Sequence, residues 1–231
     1  MTALALALTV ALVGYSVVTN LDRSRESTYI LRNLAIGVAL AVVARAAGLS
    51  WSEMGLAREA LDDGWRWGRL VAIAVAVGAA VVGALAGRVP AIDRALQDRR
   101  ADLPPRQLAF HALVRIPIGT AAFEEFAFRG VLLAAFTAAW GQGWGVAASS
   151  LAFGLWHIGP ARLTARINHR DDPRQLRREV VGAVALTTLG GVAFALLRLG
   201  SGSLLAPVLA HTSTNVFGLL VAATVQQTSR R

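Results

Sequence analysis

The sequence predicts an all-α, polytopic membrane bundle of about seven transmembrane helices, with about six to eight allowed by where the apolar runs are cut. Hydrophobic residues make up 55% of the 231 positions and charged residues only 16%, against about 45–50% and about 25% in a soluble domain. Mean hydropathy is +0.53. The apolar runs also recur near the length of about 20 residues that crosses a hydrocarbon core about 30 Å thick. This composition excludes disorder and collagen-like repeats. The absence of cysteine excludes disulfides, thiolate metal sites and a thiol nucleophile.

The expected spans are residues 2–18, 30–47, 70–87, 110–138, 143–158, 180–198 and 204–225. The first run lacks the basic start and small-residue cleavage pattern of a secretory signal, so it reads as a retained helix. The second carries Arg32 and Asn33 at its start and Arg45 at its end. Between the third and fourth, residues 88–106 combine Ala91, Ile92, Ala95 and Leu96 with Arg and Asp before Pro104-Pro105, a pattern for a short amphipathic surface helix. Residues 159–179 are basic, contain Asp171-Asp172-Pro173, and read as a solvated loop. The organisation that follows is 1–106 for the N-terminal helices and amphipathic connection, 107–225 for a helical core carrying the polar motifs, and 226–231 for a short basic tail.

All 23 basic residues are Arg and the net charge is +9. A nucleic-acid footprint needs basic residues clustered on one solvated face with stacking aromatics, whereas these fall mostly between apolar runs, so no nucleic-acid partner is expected. If the spans alternate, Arg23, Arg25, Arg88, Arg94, Arg99, Arg100, Arg106, Arg162, Arg166, Arg170, Arg174, Arg177, Arg178, Arg230 and Arg231 share one side. Only Arg45, Arg58, Arg66, Arg69 and Arg198 fall on the other. The richer side is cytoplasmic by the positive-inside rule, which places the N-terminus outside and the C-terminus inside. The absence of Lys suggests a GC-rich bacterial genome, and so a bacterial plasma membrane.

An ionisable side chain in hydrocarbon costs at least ~2.5–3.5 kcal/mol on insertion scales, so it is kept where a cavity, partner or function compensates. The fourth span contains Glu124, Glu125 and Arg129. Glu125 and Arg129 are four apart and share a helix face where they can pair. Glu124 lies about 100° around the helix without such a partner, and a carboxylate so placed suits a general base acting on water. The same segment also suits a structural ion pair with a spare acid. Phe153 and His157 end the fifth span, while His211 and Asn215 lie inside the seventh at an i,i+4 spacing that aims an imidazole and an amide into the same space. An imidazole can ligate a metal and an amide N–H can stabilise an oxyanion; interhelical hydrogen bonding is the plainer reading. Counted at 1.5 Å per residue, Glu124 and His211 lie ~21 and ~20 Å from the cytoplasmic side, and His157 ~9 Å, so a tilted or broken fifth helix is needed to bring them together.

These residues resemble the three motifs EExxxR, FxxxH and HxxxN of the CAAX-protease and bacteriocin-processing (CPBP, or Abi) family of intramembrane proteases. The resemblance covers roughly residues 107–222. It implies that Glu124 activates or helps hold the nucleophilic water, that His157 and His211 coordinate this water or a zinc ion, and that Asn215 stabilises the oxyanion. Glu125, supported by Arg129, would be a second, positional acid. Glu124, His157 and His211 form a sound zinc set, and the same residues can activate water without metal. The implied reaction is peptide-bond hydrolysis in a membrane-associated or lipidated protein or peptide at the lipid bilayer. A non-catalytic scaffold or immunity protein, and a proton-coupled transporter, stand as the alternatives.

Overall fold

The protein's structure, a computed structural model, describes residues 1–21, 27–170 and 172–229. Arg23, Arg25, Asp171, Arg230 and Arg231 of the sequence reading lie outside these residues. The chain is helical in the order α1 (Thr2–Leu21), α2 (Tyr29–Ala46), α3 (Leu61–Leu85) and the short α4 (Pro90–Leu96). A long rod, α5, then runs over residues 105–140, followed by α6 (Gln142–Trp156), α7 (Ile158–Ile167), α8 (Pro173–Ser201) and α9 (Leu205–Ser229).

Among the described residues, five helices are long and apolar enough to cross a membrane: Thr2–Asn20, Tyr29–Ala46, Arg58–Leu85, Pro173–Ser201 and Leu205–Thr228. The protein is thus a polytopic helical membrane bundle. The expected fourth and fifth spans fall on α5 and α6, which differ from simple spans for physical reasons. Helix α5 alternates α-helical Pro105–Phe110, Phe123–Glu125 and Leu133–Trp140 with π-helical His111–Ala122 and Phe126–Leu132. Pro117, inside the first π segment, has no N–H to donate, so the regular ladder is already broken there. Helix α6 has 15 residues, or ~22 Å at 1.5 Å per residue, short of a hydrocarbon core about 30 Å thick.

Small residues let the helices approach closely, as they do in lipid, where apolar burial alone does not drive association. Gly64 and Gly68 of α3 lie against Ser203, just before α9, and Leu205, Ala206 and Leu209 at its start. Gly154 of α6 faces Val184 and Thr188 of α8, and Gly145 abuts Thr137 of α5. The outward faces carry exposed Val10, Leu31, Val38, Val77, Leu113, Leu186 and Leu189. Trp51, Trp65, Trp67, Trp140 and Trp144 are exposed too, a residue type enriched where membrane helices meet the headgroups.

Two connections sharpen the sequence reading. The amphipathic segment is present as α4, followed by a 3-10 turn Arg99–Ala101. Its end is held down by Gln226 of α9, whose Nε2 donates to the carbonyls of Leu96 (2.9 Å) and Asp98 (2.8 Å). Residues 159–179, by contrast, are not a solvated loop, because most of the first half is helix α7. Arg162 and Arg166 stand exposed while Gly159 and Ala165 are buried. That i,i+4 arginine pair is the outer stripe of an amphipathic helix, hidden in the sequence by its overall basic character. Asp172 caps the next helix, its carboxylate accepting from the Gln175 N–H at 2.8 Å.

Candidate active site

The acids sit in the single α-helical turn Phe123–Glu125 between the two π segments of α5. Such departures from the regular ladder re-aim side chains and recur at functional sites. Glu124, Glu125 and Arg129 are all buried, with 4%, 0% and 1% exposure. The expected Glu125–Arg129 pair is present, Arg129 Nη1 donating to Glu125 Oε1 at 3.2 Å. The guanidinium lies over the ring of Phe153, with Cζ 3.9 Å from the centroid, and 5.2 Å from that of Phe194. Aromatic faces can stabilise a cation that lipid and protein have removed from water.

Glu125 does more than pair with Arg129. Its Oε1 also lies 2.7 Å from His211 Nδ1. A carboxylate only accepts, so Nδ1 carries a hydrogen, and in the neutral form of the ring the lone pair lies on Nε2. His211 is further fixed by stacking on Phe194, 5.2 Å between centroids at 20°, and by an edge contact with Phe153 at 5.9 Å.

Glu124 points elsewhere. Its Oε1 accepts from Trp156 Nε1 at 3.1 Å. Its Oε2 is buried without a hydrogen bond and lies 3.9 Å from His211 Nε2. The acid expected to be unengaged is therefore held through one oxygen and open through the other.

His157 stands at the break between α6 and α7. Its Nδ1 lies 2.8 Å from the Phe153 carbonyl, which also only accepts, so here too Nε2 keeps the lone pair. The ring packs 4.5 Å from Phe153. Phe153 thus contacts Arg129, His157 and His211 together. Asn215, half-buried one turn after His211, makes no hydrogen bond to the other five among the described residues. The structure therefore brings five of the six candidates together, three of them against the Phe153 ring, and leaves the sixth adjacent on α9.

The donor types suit zinc, with two imidazole Nε2 atoms and an unpartnered carboxylate oxygen. Their arrangement does not close a ligand set: among the described residues no group of three or more His, Cys, Asp or Glu side chains could hold a metal ion.

Three contributors are absent from the sequence motifs. Trp156 precedes His157 and reads in sequence as a mere neighbour, Phe194 is one more apolar residue of α8, and Ser16 is a lone hydroxyl in α1. Ser16 is fully buried, and a polar side chain inside an apolar run was the available signal.

Residues 106–217, just under half of the chain, match the family model described as type II CAAX prenyl endopeptidase Rce1-like. No curated protein and no solved structure matches the chain. All six candidate residues lie inside the matched segment, whereas α1, α2 and α3 lie outside it.

Proposed function

Because residues 106–217 match the Rce1-like family model, we propose that this chain belongs to that CAAX-protease family and cuts a peptide bond in a membrane-associated or lipidated protein or peptide, with Glu124 as the general base. The chain is then a hydrolase embedded in the lipid bilayer. The observation that carries the assignment of Glu124 is the 3.9 Å gap between its Oε2 and His211 Nε2, two buried acceptors facing one another. A water can donate to both at about 2.8 Å from each, which leaves an oxygen lone pair aimed away from them.

In the proposed reaction this lone pair attacks the scissile carbonyl carbon as Glu124 Oε2 takes a water proton. The carbonyl π electrons move onto oxygen, and the Asn215 side-chain N–H stabilises the oxyanion. Collapse of the tetrahedral intermediate re-forms the carbonyl, breaks the C–N bond, and lets the protonated Glu124 return its proton to the leaving nitrogen. His211 is held in the productive tautomer by Glu125. His157 offers a second imidazole nitrogen at the other contact of Phe153. If zinc is bound, as the family resemblance implies, Glu124, His157 and His211 are the residues that would hold it. The mechanism as written rests on the chain's own side chains. The Arg-rich ends of the bundle are assigned to the cytoplasmic side.

The test is cleavage of a mixed panel of lipidated and transmembrane peptides by protein purified in detergent. Glu124→Gln and His211→Ala are expected to lose about 10²–10⁴-fold in rate, the usual contribution of a positioned base. A wild type that cuts nothing, or variants that cut as fast as wild type, would overturn the assignment.

A further inference from the structure

A glutamate carboxylate has two equivalent oxygens and a soft terminal torsion, so something must decide which oxygen meets the water. In this protein the deciding contact is the indole N–H of Trp156, which donates to Glu124 Oε1 at 3.1 Å. That leaves Oε2 as the unpartnered oxygen, on the His211 side. The indole itself has little freedom: it is buried and packs against Phe128, Phe123 and Tyr15 with centroids 5.7, 5.9 and 6.0 Å away.

The backbone of Trp156 is held from another helix. Trp156 is the last residue of α6, so its carbonyl is among the four that lack an intrahelical partner. Ser16 Oγ of α1 donates to that carbonyl at 2.7 Å. The two helices meet closely here, since a Cβ on Gly159 would lie 2.7 Å from the Ser16 carbonyl oxygen. Helix α1 is therefore seated against the α6–α7 break by a hydroxyl and a glycine, and through them against the ring that holds Glu124.

We infer that Trp156 is a positioning residue for Glu124, and that Ser16 anchors it, so that α1, which lies outside the family-matched segment, is a working part of the active site. This inference rests on the proposed role of Glu124 as base.

Trp156→Phe keeps an aromatic ring and removes the N–H. With the most rapidly cut peptide of the panel, kcat is expected to fall by up to about 10²-fold, the scale of a misplaced catalytic group, while KM stays near the wild-type value. Ser16→Ala is expected to lower kcat less, and the double variant to be no slower than Trp156→Phe alone, because both act through one contact. A role in packing alone would instead lower the melting temperature and give additive losses. If wild type cleaves and Glu124→Gln does not, yet Trp156→Phe keeps the wild-type kcat, the inference is overturned while the proposed function stands.

A second measurement does not depend on activity. In protein labelled with ¹⁵N-tryptophan, the Trp156 indole N–H resonance is expected to move in Glu124→Gln and, by a smaller amount, in Ser16→Ala. If wild type cuts no peptide, the proposed function fails by itself. An indole resonance unmoved by Glu124→Gln would then show that the positioning contact is absent.

Discussion

His211 Nδ1 and Glu125 Oε1 lie 2.7 Å apart across 86 residues of sequence. The same Glu125 oxygen accepts from Arg129 Nη1 at 3.2 Å, so one carboxylate oxygen serves both a cation on its own helix and an imidazole on α9. The bond fixes the His211 tautomer, and the ion pair supplies the charge that keeps the bond in place. All three side chains are buried.

Glu125→Gln should therefore destabilise the protein strongly. It leaves the buried guanidinium of Arg129 without its counter-charge, and breaking a buried pair from one side costs about 3–5 kcal/mol. Thermal unfolding in detergent should show a clear drop for Glu125→Gln. The double variant Glu125→Gln/Arg129→Met should recover much of that loss, since both charges are gone. Activity should stay low in both variants, because the amide no longer enforces the His211 tautomer. Equal stability of wild type and Glu125→Gln would show that the pair is not buried as described.

Gly154→Ala tests the α6–α8 contact beneath the site. Its Cβ would fall 2.0 Å from Thr188 Oγ1 and 2.8 Å from the Val184 carbonyl oxygen. The hydroxyl can rotate away, but the carbonyl belongs to the backbone of α8 and cannot. Overpacking of this kind costs about 1–3 kcal/mol, and Phe153 and His157 on α6 should shift with it. Gly154→Ala is expected to lower both melting temperature and cleavage rate, and adding Thr188→Ala should restore only part. Full restoration would mean that the hydroxyl alone sets the spacing.

Asp98 provides a pH-dependent contribution remote from the membrane spans. Burial pushes its carboxyl up, but the side-chain hydrogen bond, charge and backbone N–H of Arg100, together with the Asn168 amide, outweigh burial and hold it below the ordinary aspartate value. A carboxyl depressed in the folded state contributes stability that is present above its unfolded value, near 3.8, and lost as pH falls through the lower folded value. Lowering pH below about 4 should therefore weaken the clasp that ties residues 96–101 to Asn168 and Gln226. Melting temperatures of wild type and Asp98→Asn should differ most near neutral pH and converge in acid. A difference that persists unchanged into acid would rule out this contribution.

Much of the site was legible because lipid makes polar residues conspicuous. Glu124, Glu125, Arg129, His157, His211 and Asn215 stand out from apolar runs, and the Glu125–Arg129 pairing follows from a local spacing of four. Depth asked for a tilted or broken fifth helix to bring His157 to the others, and the sequence left that choice open. Helix α7 was not legible, since its two exposed arginines resemble a charged loop until Gly159 and Ala165 are seen to be buried. Trp156 escaped notice for a related reason: an indole next to a histidine at a helix end has many ordinary uses.

The sequence by itself determined the membrane bundle, the polar residues it retains and their spacing within each helix, because hydropathy and an i,i+4 repeat are properties of a short stretch of chain. Only the tertiary structure decided which acid meets which partner. It gave Glu125 to His211, gave one oxygen of Glu124 to Trp156 and left the other facing His211 Nε2. It also brought Ser16 to a carbonyl 140 residues away. These pairings depend on how each helix is rotated and how closely its small residues let neighbours approach, and no local pattern encodes that.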